Sequence, residues 1–82
     1  MTTLNINAFE NLQINARILR KTVGKEAKIA VDANQIWSVP EAICWMEQLA
    51  EFDIHWIEEP TSPDDILGHL EISKALQKYG IH

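Results

Sequence analysis

The sequence predicts an α/β chain, read as α-β-α-β-α with two parallel strands. Three observations carry this reading. Two short apolar runs, Ile29-Ala30-Val31 and Trp56-Ile57, each end in a carboxylate, Asp32 and Glu58. Those carboxylates lie 26 positions apart, room for a loop, a helix and a second strand. That is the length of a crossover between parallel strands, which is almost always right-handed. Around both runs, apolar residues recur three and four positions apart, the spacing of a helix face.

Residues 1–8 are polar and unpatterned and read as a loose N-terminal lead-in. Phe9, Leu12, Ala16, Leu19 and Val23 then predict a helix over residues 8–23, with Asn7 as its cap and Gly24 at its end. Arg17, Arg20 and Lys21 gather in its last turns, where cations complement the helix dipole. Lys25-Glu26-Ala27 is a loop, and Lys28 to Asp32 reads as a strand covered on both faces. If the extended conformation persists past Asp32, Asn34 points the same way as Asp32. Ser38-Val39-Pro40-Glu41 is a capping box, with proline in the first turn where no hydrogen bond is lost. The helix it opens runs through Ala42, Ile43, Trp45, Met46, Leu49 and Ala50, with Cys44 read as a buried, inert thiol. Asp53-Ile54 leads into the second strand, and Pro60 predicts an extended Glu59 at which the strand stops. Ser62-Pro63-Asp64-Asp65 opens a third helix, which Gly68 is expected to interrupt; Gly80 closes it, and Ile81-His82 begin another strand.

The composition narrows the function classes. With 82 residues, 46% of them hydrophobic and 23% charged, the chain is globular rather than disordered, and one small domain or a piece of a larger one. A net charge of −5 without a basic run speaks against nucleic acid and against a membrane surface as partners. The single Cys44 allows no internal disulfide. Neither a signal-type N-terminus nor a bilayer-length apolar stretch occurs, so the expected location is intracellular, cytoplasm or mitochondrial matrix. A two-stranded sheet has two open edges, through which the chain could self-associate.

Groups at the carboxyl ends of parallel strands are where α/β folds bind ligands. Asp32 and Glu58 hold that position, and their hard oxygens suit Mg2+. From spacing alone a second reading stands beside it: Asp32 opens an Asx-turn and Glu58 is a solvated strand end. Asn34 is a candidate for orienting a substrate oxygen or for stabilising the turn. Glu59 reads as a surface group, Asp64 and Asp65 as helix-start charges, and His55 as structural. His69 reads as solvent-exposed or locally bonded. Trp37, Trp45 and Trp56 read as core, with Trp37 close enough to Asn34 to line a site.

The stretches Val31-Asp32-Ala33-Asn34-Gln35, Trp37-Ser38-Val39-Pro40-Glu41-Ala42-Ile43 and Trp56-Ile57-Glu58-Glu59-Pro60-Thr61-Ser62-Pro63-Asp64-Asp65-Ile66-Leu67-Gly68-His69 resemble the enolase superfamily. Within it they are most similar to acid-sugar dehydratases of the mandelate-racemase type, the L-fuconate dehydratases above all. The resemblance covers about Phe9 to Gly80. It implies that residues 9–82 are an incomplete enolase-type barrel segment, a fragment of a C-terminal (β/α)8 TIM-barrel domain. By position, Asp32 and Glu58 resemble the first and second ligands of a Mg2+ ion, and Asn34 a residue that helps bind the substrate carboxylate. The implied parent reaction removes an α-proton from a small sugar-acid substrate and eliminates water. Ile36 and Ser38 stand where the family more often has Arg and Asp. Lys25 and Lys28 do not match the family's Lys-x-Lys base, and neither the Gly-Glu of the third ligand nor the His-Asp pair is present. The chain alone is therefore expected to be inactive, with weak or absent Mg2+ binding. The alternative is a non-enzymatic interaction or regulatory protein.

Overall fold

The structure, a computed structural model, describes residues 2–6 and 11–82. The apolar runs form strands as their β-branched residues favour. Ile29–Asp32 and Ile54–Glu58 are two of them, joined by a helical crossover and parallel. A third strand precedes both, Thr2–Asn5, so the sheet has three parallel strands, β1 (Thr2–Asn5), β2 (Ile29–Asp32) and β3 (Ile54–Glu58), in that order. This corrects the reading of a loose lead-in and a two-stranded sheet. Four residues without apolar alternation give no strand signal by themselves. The partner supplies it: Thr2 N–H donates to Lys28 O at 3.0 Å and Ile6 N–H to Asp32 O at 2.8 Å.

The helices are α1 (Leu12–Val23), α2 (Val39–Leu49) and α3 (Ile66–Leu76). A 3-10 turn follows α2 at Ala50–Phe52 and another follows α3 at Gln77–Tyr79. The cap of α1 is Asn11, whose side chain accepts from Ile14 N–H at 3.2 Å; Asn7 and residues 8–10 of the expected helix lie outside the described residues. The capping box of α2 is present as read, with Glu41 N–H donating to Ser38 Oγ at 3.3 Å and Ser38 N–H to Glu41 Oε1 at 3.1 Å. Hydrogen bonds to its carboxylate from Ser38, the backbone N–H first and the side chain second, hold the exposed Glu41 carboxyl below its ordinary pKa.

Two local expectations are corrected. Gly68 does not interrupt α3; it is buried inside the helix, and its N–H donates to the Asp65 carboxylate that caps it, at 2.9 Å. Cys44 is exposed rather than buried, because it falls on the solvent side of α2 while Ala42, Met46 and Leu49 face the core.

The core shows how the layers stack. Ile29, Val31 and Ala33 pack with Leu12, Ala16, Met46, Leu49, Ile72 and Leu76, and Leu4 and Ile57 lean on the same cluster. In extended chain these strand residues alternate with Thr3, Asn5, Ala30, Asp32, Trp56 and Glu58. All three helices therefore cover one face of the sheet, and the second set of side chains lines the other. Between Ile54 and Trp56 the register slips by one residue, His55, which keeps Trp56 opposite Ala30 and Glu58 opposite Asp32. At the far edge, His82 N–H donates to His55 O at 3.1 Å and Ile57 N–H to His82 O at 3.0 Å, the bond pair of a residue entering a fourth parallel position. No helix among the described residues is long and apolar enough to cross a membrane.

Candidate metal centre

Asp32 and Glu58 are register partners, the last residues of two adjacent strands on the face without helices. Like charges so placed repel. Among the described residues no Lys or Arg ion-pairs with either; the ion pair present is Lys78 with Glu47, at 3.9 Å.

Each carboxylate is steered by one internal donor. Asn34 N–H donates to Asp32 Oδ1 at 2.9 Å, which is an Asx-turn. Trp56 Nε1–H donates to Glu58 Oε1 at 2.8 Å, holding that side chain back along its own strand. The second oxygen of each has no hydrogen-bond partner among the described residues. The turn reading and the ligand reading are thus compatible. The turn fixes one oxygen of Asp32 and leaves the other for a ligand.

Beyond the strands, the two loops continue to pair. Ala33 N–H donates to Glu58 O at 3.0 Å, Gln35 N–H to Glu59 O at 2.6 Å and Trp37 N–H to Pro60 O at 3.1 Å. This pairing is bought with left-handed backbone at Asn34 (φ 53°), Gln35 (φ 65°) and Glu59 (φ 46°). Glu59 is therefore not extended as Pro60 led us to expect, and extended chain ends at Asp32. Asn34 turns away from the strand direction instead, its Nδ2 donating to Ile6 O at 3.2 Å, which ties the end of β1 to the β2 loop. Glu59 is exposed. Trp37 is buried in the core. His69 is locally bonded, its Nε2 lying 2.9 Å from Ser62 O.

Sequence reasoning passed over Asn5. It is the register partner of Asp32, so Asn5, Asp32 and Glu58 form one row across the three strand ends, with Thr3, Ala30 and Trp56 forming the row beneath. The signal that would have found it is the parity of Thr3 and Asn5 once β1 is recognised. The strand preceding Asp32 thus carries Thr3 and Asn5 on the face where the resemblance asks for Lys-x-Lys. Two cavities lined by described residues lie elsewhere. One of about 290 Å3 sits at the opposite ends of β2 and β3, between Lys25, Lys28, Asp53 and His55. The other, about 170 Å3, lies between β3 and α3, lined by Ile57, Ile72, Leu76 and Ile81.

Parallel strands joined by helices, with a carboxylate pair at their carboxyl ends, are the arrangement in which folds of the α/β-barrel type place their ligand sites. The sequence profile of the family described as Enolase C-terminal domain-like matches residues 8–81, and the chain belongs to that family. It is 52% identical to human Mitochondrial enolase superfamily member 1 over 83 aligned residues, which cover 98% of this chain and 19% of that protein. It is 58% identical to L-galactonate dehydratase of Hypocrea jecorina over 66 residues, covering 78% of this chain and 15% of the relative. The crystal structure of the human protein superposes with a TM-score of 0.84 at 51% identity, over 98% of this chain and 19% of that one. L-talarate dehydratase from Polaromonas sp. JS666, solved with Mg and L-glucarate, superposes with a TM-score of 0.78 at 31% identity, over 88% and 21%. The chain thus spans about a fifth of the length of these relatives.

Proposed function

We propose that this chain is a strand-end segment of a Mg2+-dependent acid-sugar dehydratase barrel, with Asp32 and Glu58 as two of the metal's ligands. The observation that carries the reading is their register: two carboxylates side by side at the carboxyl ends of adjacent parallel strands. The donor set fits the ion. Mg2+ takes hard oxygens, needs only one or two protein carboxylates and keeps several waters. When bound, it supplies a Lewis acid that can hold a substrate carboxylate. Asn34, at the mouth of the same turn, is the residue we assign to a substrate oxygen. The relatives named above, and the L-glucarate bound by one of them, favour a sugar acid as the parent's substrate; L-fuconate is the one we propose, and water elimination after α-proton abstraction the reaction.

By itself the chain should not turn over substrate. Thr3 and Asn5, the β1 residues on the same face as the two carboxylates, carry no group that accepts a proton near neutral pH. Calorimetric titration of Mg2+ into the wild type and Asp32→Ala tests the reading. Binding by the wild type and loss in the variant are expected, with no dehydration of L-fuconate by either; equal binding by both would reject the site.

A second reading, an interaction protein that pairs through its sheet edges, is favoured by His82 already seated beside β3 and by Ile66 and Leu67, 77% and 78% exposed at the start of α3. Light scattering across a concentration series separates the two. A monomer at all concentrations would remove self-association.

A further inference from the structure

We infer that Asn5 is a third oxygen donor to the cation held by Asp32 and Glu58, an inference that rests on the proposed metal site. The sheet places it there. Asn5 pairs with Asp32 and Asp32 with Glu58, so the three side chains leave the same face at the same level of three neighbouring strands. Neighbouring strands are about 4.8 Å apart, so Asp32 is central and each neighbour is one strand away, within reach of an ion bound to Asp32. A carboxamide oxygen is a hard, neutral donor of the kind Mg2+ and Ca2+ accept beside carboxylates. Asn5 is exposed, so turning its amide to an ion takes nothing out of a packed core. The next residue, Ile6, is tied twice to the β2 segment. Ile6 N–H donates to Asp32 O at 2.8 Å, and Ile6 O accepts from Asn34 Nδ2 at 3.2 Å. The residue after Asn5 is thus held by the very segment that carries Asp32.

The set differs in kind from a bare acidic pair. Two carboxylates and a carboxamide offer three oxygens with a charge of two, which matches a divalent ion and leaves its remaining positions to water or a ligand carboxylate. The neutral third donor also leaves room for an anionic ligand, which a third carboxylate would repel.

The test is calorimetric titration of Mg2+ into four proteins: wild type, Asn5→Leu, Asn5→Asp and Asp32→Ala, each confirmed folded by circular dichroism and a cooperative melt. Asn5→Leu should weaken binding several-fold, and the isosteric Asn5→Asp should tighten it by adding charge to the same oxygen position. If Asn5→Leu and Asn5→Asp both titrate as wild type while Asp32→Ala does not bind, Asn5 is no ligand and the carboxylate pair stands without it. If Asp32→Ala titrates as wild type, or the wild type takes up no Mg2+, the metal site itself fails, and the role of Asn5 with it.

Discussion

A Cβ added at Gly68 would meet Asp65 Cγ at 2.6 Å and Val39 Cγ2 at 2.7 Å, distances no real Cβ keeps. The absent side chain is what lets Asp65 fold over the first turn of α3 while α2 comes close. Gly68→Ala, harmless in most helices, should here cost about 1–3 kcal/mol as overpacking does, seen as a lower denaturation midpoint at unchanged m-value. Ser38→Ala removes one side of the capping box and should cost about 1 kcal/mol. Its pH signature is specific. Glu41 has a folded pKa below the ordinary 4.5, because Ser38 N–H and Oγ–H donate to its ionised form. A depressed carboxyl adds stability that is full above the ordinary value and lost as pH falls through the folded one. Urea unfolding of Ser38→Ala between pH 6 and 3 should therefore show a shallower acid decline than wild type.

At the scale of elements, what was legible in the sequence was what is local. Ser38 and Glu41 satisfy each other within one turn, so their chemistry announces the start of α2 with no help from the fold. The carboxylate ends of β2 and β3 were equally plain, since apolar runs with crossover spacing need only themselves. β1 was not, because Thr2–Asn5 becomes a strand only by taking bonds from β2, and Asn5 acquired its place in the site from the same pairing. Gly68 misled for a related reason. Its propensity describes an isolated helix, and its use here depends on Val39 of another. Arg20 was read as a dipole partner, and its position in the last turn bears that out, yet it does more. Its guanidinium donates to Gly24 O at 2.9 Å, Ala27 O, Phe52 O at 3.0 Å and Asp53 O at 2.9 Å, joining the end of α1 to the loops that open β2 and β3. A lysine ammonium has three donors and no planar fork. Arg20→Lys should therefore cost about 1–3 kcal/mol in chemical unfolding, in the range of lost hydrogen bonds to a charged group, whereas Arg17→Lys should be near neutral. Equal effects would mean that charge near the helix end, rather than the fork, is what matters.

For the whole molecule, the helices lie on one face of the sheet and the row Asn5, Asp32, Glu58 on the other. The pair of carboxylates consequently acts largely through water. Two unit charges 4 Å apart interact by about 1 kcal/mol in bulk water and about 4 kcal/mol at the effective dielectric of a protein surface. An attraction of the first kind is eroded by dissolved ions, since the Debye length shrinks from about 30 Å at 0.01 M to about 10 Å at 0.1 M. Mg2+ capture by this chain should thus decline steadily as potassium chloride is raised over that interval, measured by repeating the titration at each salt. A centre enclosed by facing strands would keep most of its affinity over the same interval. At the proposed centre the open face would make ionic strength, as much as any side chain, the quantity that decides whether an ion is held.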